Sequence, residues 1–138
     1  MPKWGGGHSI FAAQAWADRA YATALWSHHE PEKVSELGRE AEIYARRALA
    51  LSKIVPEFWL RLGVSLDMQG QWVDAGEAFT EALTLAPSSA TIWYYQAYHL
   101  ALKTAGLGPA RGAVAICLRL DPGNREAEAL RQRLAVSR

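Results

Sequence analysis

Between Pro56 and Pro87, apolar positions recur with the period of an α-helix in two separate stripes. In the first, Trp59, Leu62, Gly63 and Leu66 stand at i, i+3, i+4 and i+7, which is one face of a helix. In the second, Ala75, Phe79, Ala82 and Leu83 form a similar face. Gly70-Gln71 separates the two, and a glycine there can adopt the left-handed backbone that closes a helix. Pro87 has no N–H to donate and ends the second helix. The stretch predicts a helical hairpin of about 34 residues.

The same pattern returns twice. Trp93, Ala97 and Leu100 follow Trp59, Gly63 and Leu66 at an offset of 34. Ala110, Val114, Cys117 and Pro122 follow Ala75, Phe79, Ala82 and Pro87 at 35, so the third hairpin holds one extra residue in its KTAGLGP turn. Upstream, Ala41, Ala45, Ala48, Leu49 and Leu51 precede Ala75, Phe79, Ala82, Leu83 and Leu85 by 34. Their partner helix carries Trp16, Ala20 and Thr23, which precede Trp59, Gly63 and Leu66 by 43. The run Trp59, Leu62-Gly63, Leu66, Ala75, Phe79, Ala82 and Pro87 resembles the signature of the tetratricopeptide repeat (TPR) family. The resemblance implies an all-α TPR-type α-solenoid of three helix-turn-helix repeats, about 9–55, 56–89 and 90–122, closed by a C-terminal capping helix at about 123–136.

In chain order, Gly5–Gly7 predicts a flexible segment over residues 1–8, followed by a single domain over 9–138 with Ser9 as its first helix cap. Helices are expected at about Ile10–Ser27, Pro31–Lys53, Glu57–Gln69, Trp72–Leu85, Thr91–Thr104 and Pro109–Leu120. A seventh, capped by Asn124, should run to about Val136. The nine residues by which the first repeat exceeds 34 should lengthen its two helices rather than make a loop. Lys53 stands where the repeat calls for proline, and Pro56 is expected to do the stopping. Glycine within a helix costs roughly 0.5–1 kcal/mol, so Gly63 should mark a close approach of the bulky Phe79. In the third repeat that pair becomes Ala97 with Val114.

At 138 residues the chain is of single-domain size, and with half its residues apolar it can bury a core. Fifteen Lys and Arg against fourteen Asp and Glu, scattered along the chain, leave no basic stripe for nucleic acid. No run approaches the ~20 apolar residues of a membrane span, and none resembles a signal peptide. A cytoplasmic location is therefore favoured, with the periplasm open if the chain is cut from a longer protein. One cysteine excludes an internal disulfide, and no Cys/His spacing suggests a metal or another cofactor. His28-His29-Glu30 reads as a solvated turn, His99 as a packing histidine and Cys117 as an inert core thiol. No phosphate loop, carboxylate pair or nucleophile elbow is present, and the chain is not expected to be an enzyme.

The resemblance also implies a concave groove lined by the first helix of each hairpin, at positions one, two, five, eight and nine after the tryptophan. These are Ala17, Asp18, Tyr21, Ala24 and Leu25, then Leu60, Arg61, Val64, Asp67 and Met68, then Tyr94, Tyr95, Tyr98, Ala101 and Leu102. Family members that clamp a peptide's terminal carboxylate place Lys, Arg and Asn here; only Arg61 remains, so a clamp is not expected. Tyr21, Leu60, Arg61, Val64, Tyr94, Tyr95 and Tyr98 instead suggest binding of an apolar or aromatic segment of a protein or peptide partner. Two other readings stand beside it. Trp4, Trp26 or Trp72 could serve self-association as a homo-oligomeric scaffold, or the chain could be the soluble end of a bacterial envelope protein similar to O-antigen ligases.

Overall fold

The computed structural model describes residues 2–102 and 107–136, with side chains from residue 10 onward. Seven α-helices account for nearly all of it: α1 (Pro2–Trp26), α2 (Val34–Leu51), α3 (Pro56–Met68), α4 (Trp72–Leu85), α5 (Ala90–Leu102), α6 (Gly108–Leu120) and α7 (Arg125–Val136). A 3-10 turn, Pro31–Lys33, leads into α2, and no strand occurs among the described residues. The chain divides into two compact units, Met1–Leu85 and Ala86–Arg138, inside what length alone presents as one domain.

In the first unit, α1 to α4 pack in sequence as antiparallel neighbours, with α3 also touching α1. Small residues let the backbones approach: Ala13, Ala17 and Ala20 on α1 and Ala41, Ala45 and Ala48 on α2 are buried. Phe58, Leu62, Leu66 and Phe79 fill the remaining volume, each almost wholly shielded from water. Gly63 meets Phe79 as its sequence position requires, since a Cβ there would lie 2.8 Å from the ring. Gly38 serves α2 in the same way, with Met68 Cβ only 2.7 Å from where its own Cβ would be. Gly70 closes α3 at φ 75°, with the Gln71 amide bonded to Leu66 O at 2.9 Å and the Gly70 amide to Asp67 O at 3.0 Å. That reversal is the Schellman arrangement that the Gly70-Gln71 break predicts.

Four boundaries differ from expectation, one being that α2 starts at Val34, after the 3-10 turn, and not at Pro31. α1 begins at Pro2 rather than Ile10, so Ser9 lies inside the helix and the expected flexible segment has helical backbone. Glycine disfavours the helix without barring it sterically, and Pro2 sits in the first turn, where a missing N–H leaves nothing unpaired. α2 ends at Leu51, and Pro56 opens α3 instead of stopping the helix before it. Only part of the first repeat's extra length goes into helix: α2 spans 18 residues where α4 spans 14, whereas the connection before α2 takes seven residues, 27–33, where the one before α4 takes three, 69–71.

In the second unit, α5, α6 and α7 enclose Ala97, Ala110, Ala113, Val114, Cys117, Ala127, Leu130 and Leu134. Asn124 caps α7 by accepting the Ala127 amide at 2.9 Å. Arg111 closes the other end, donating to Leu134 O through Nε at 3.1 Å and Nη2 at 2.6 Å. The end of the fifth helix expected at Thr104 and most of the KTAGLGP turn lie outside the described residues. The tryptophans keep the repeat register: Trp59 Nε1 donates to Lys53 O at 2.9 Å, and Trp93 Nε1 to Pro87 O at 2.8 Å. Each indole reaches six residues back, to the loop that precedes its own helix.

One polar residue breaks the apolar pattern of α5. Gln96 occupies the register of Leu62, and its Oε1 is buried without a hydrogen-bond partner among the described residues. An unmade buried hydrogen bond costs about 1–3 kcal/mol. Gln96→Leu is expected to stabilise the fold by about 1 kcal/mol and to raise the thermal midpoint by roughly 4 °C. Differential scanning calorimetry checks this, and a lowered midpoint would show that the amide does have a partner.

Candidate interaction surfaces

Tyrosines on α5 make the densest aromatic group. Tyr94 meets Tyr95 edge-to-face at 5.4 Å and 78°, and Tyr98 at 6.4 Å and 44°. The spacing i, i+4 places Tyr94 and Tyr98 on one helix face, and Tyr95 borders it. Tyr98 is 42% exposed, while Tyr94 and Tyr95 are half-buried. Burial, reinforced by the phenols of Tyr95 and Tyr98, pushes the Tyr94 hydroxyl above the usual tyrosine range. It therefore remains a neutral hydrogen-bonding group at ordinary pH.

Tyr94 also stands at the edge of an open cleft of about 530 Å³ between α5 and α7. Ala129, Leu130 and Val136 supply its apolar side, and Glu126, Gln132 and Arg133 its polar side. The α7 residues were missed by reading that helix as a cap alone. Carrying the register across the one-residue-longer turn, an offset of 35, takes the groove positions Tyr94 and Ala101 to Ala129 and Val136. The register was legible one helix further than it was followed.

In the first unit the corresponding surface is polar. Tyr21 of α1 is 40% exposed, with the Arg61 guanidinium of α3 lying 4.2 Å from its ring centroid. Arg61 also pairs with Glu57 at 3.4 Å. Gln14 Nε2 joins the helices, donating to Asp18 Oδ1 at 2.8 Å and Glu57 Oε1 at 3.3 Å. Gln14 and Glu57 carry no tryptophan-relative signal and were not foreseen. Leu60 is a correction: it is 3% exposed, a core residue that no partner could touch. Ala17 is buried as well. α3 packs on both α1 and α2, which shuts both positions away. Val64 is half-buried.

The other chemical candidates are placed as follows. His28 and His29 are exposed in the turn after α1, where Glu30 is engaged by Lys33 and by the Trp26 indole. Among the described residues no three His, Cys, Asp or Glu side chains gather as a metal site. His99 is buried on α5. Cys117 is fully buried, and burial, with Asp121 nearby, raises its thiol pKa, which suppresses the reactive thiolate. Trp26 and Trp72 are exposed, while the Trp4 side chain lies outside the described residues. No described helix is long and apolar enough to cross a membrane.

No family model and no curated protein sequence matches the chain. Solved structures do. The TPR domain of Arabidopsis OM64 superposes with a TM-score of 0.72 at 13% identity, over 91% of this chain and 96% of that one. The second TPR domain of human RPAP3, solved with the HSP70 peptide SGPTIEEVD, gives 0.73 at 15% identity, over 96% and 100%. The Yersinia enterocolitica type III secretion translocator chaperone SycD gives 0.63 at 18% identity, over 86% of each.

Proposed function

We propose, on the premise that the chain has the tetratricopeptide-repeat fold, that it is a non-catalytic interaction module. Its ligand is an apolar or aromatic segment of another protein. The observation that carries the reading is the Tyr94–Tyr95–Tyr98 group beside the α5–α7 cleft. Tyrosine offers large contact area with few rotamers to freeze, and a hydroxyl that orients the bound chain. Apolar wall, aromatic rim and a few polar groups are the usual make-up of a binding cleft.

Two of the similar folds hold peptides, SRMEEVD on the first TPR of Spaghetti (RPAP3) and SGPTIEEVD on the human RPAP3 domain. Peptide binding is thus compatible with the fold, but the side chains here suit a different sequence. Arg61, the one cation at a predicted groove position, is already occupied by Glu57 and Tyr21. A terminal carboxylate would have to displace Glu57 to reach it.

Selection from a random peptide library tests the proposal. Recovered peptides should be rich in aromatic and aliphatic residues. Tyr94→Ala combined with Tyr98→Ala should weaken them about tenfold, or about 1.4 kcal/mol, with the melting curve nearly unchanged. Peptides that bind the double variant as well as the wild type would refute the site, and failure to select any would refute the function.

A further inference from the structure

Trp16 and Arg19 lie on the side of α1 opposite Gln14, Asp18 and Tyr21, about 160° away at 100° per residue. There Trp16 stacks on Tyr44 of α2, with centroids 5.7 Å apart and planes 17° from parallel. The Arg47 guanidinium lies 4.6 Å from the Trp16 centroid. The Arg19 guanidinium lies 4.6 Å from the Tyr44 centroid and 6.0 Å from that of Trp16. Tyr44 is itself fixed by donating its hydroxyl to Glu40 at 2.9 Å.

The repeat register shows how unusual this face is. Arg19 and Tyr44 correspond to Leu62 and Ala78 of the second repeat, both buried. A repeat face with no neighbour packed on it does need to be hydrated. Neutralised charges satisfy that need, as on α7, where Arg131 closes onto Glu128. Arg19 and Arg47 are exposed, and neither has a carboxylate within ion-pair distance among the described residues. Stacking occupies the flat face of a guanidinium and leaves its edge N–H groups to donate, already oriented.

We propose that Arg19, Arg47, Trp16 and Tyr44 form a second binding site, which takes the carboxylates of an acidic peptide segment. Planar guanidinium forks match carboxylates, and the rings beneath them remove much of the ordering cost. A nucleic acid suits the face less well. The chain carries fourteen acidic residues against fifteen basic ones, and Glu40 stands beside Tyr44, where a continuous phosphate chain would meet it. Anionic membranes call for clusters of about 4–8 basic residues, which the interspersed charges here do not make.

The test is a titration of isotope-labelled protein with an all-glutamate octapeptide and its all-glutamine counterpart. It is followed through the arginine Nε–H signals and by fluorescence anisotropy of labelled peptide. The glutamate peptide should bind about tenfold more tightly than the glutamine peptide. Arg19→Gln with Arg47→Gln should weaken it about tenfold with the melting midpoint held, and the Arg→Lys pair should recover part of that loss. If the glutamine variant fails to fold, the lysine variant alone decides. Arg119→Gln with Arg125→Gln, and Tyr94→Ala with Tyr98→Ala, should leave binding unchanged, which separates this site from general charge and from the tyrosine cleft. Equal binding of the two peptides, or undiminished binding by the Arg19/Arg47 variants, would overturn the proposal. Binding only to phosphatidylserine vesicles or to single-stranded DNA would overturn it too.

Discussion

Phe79→Ala is expected to lower the free energy of unfolding by about 3–5 kcal/mol, the usual cost of removing a buried aromatic ring. Phe79 is 1% exposed, and Gly63 has given up its side chain to receive it. Two backbones shaped around one ring cannot close over its loss, because collapse would require α3 and α4 to move together as rigid rods. The cavity term should therefore be large. Domains have only about 5–15 kcal/mol in total, so the variant should unfold at a much lower urea concentration, with α3 and α4 amides losing exchange protection. A change below about 1 kcal/mol would mean that the ring is not where the hairpin register puts it.

Such register was legible because a helix's apolar period survives in the letters. Trp59, Gly63, Phe79 and their equivalents announce which faces meet, and the indole bonds of Trp59 and Trp93 to the preceding loops follow from the same spacing. The candidate surfaces were less legible, for a physical reason. Whether a position one or five residues past the tryptophan is open depends on which neighbouring helices pack over it. Leu60 has the same place in the pattern as Tyr94, yet it is shut in the core while Tyr94 borders a cleft. The polar chain Asp18–Gln14–Glu57–Arg61 joins helices more than forty residues apart, and no local period encodes it. The helix start at Pro2 was missed because glycine's cost is an average preference that a helix can absorb.

Gly63→Ala isolates the contact itself, and it should destabilise by about 1 kcal/mol. The new methyl carbon would stand 2.8 Å from two atoms of the Phe79 ring. The ring is fully enclosed and cannot swing aside, so the helices must part or the ring must leave its rotamer, at a cost of about 1–3 kcal/mol. Removing a helical glycine returns about 0.5–1 kcal/mol, which trims the penalty without reversing it. The third repeat shows the remedy: there Ala97 and Val114 share one buried cluster, a medium side chain with a medium one. Gly63→Ala combined with Phe79→Val should therefore cost less than the sum of the two single changes, by about 1 kcal/mol or more of coupling. Urea titrations of the four proteins measure that number. Strict additivity would mean that residues 63 and 79 do not touch, and the shared hairpin geometry of the second and third repeats would fall with it.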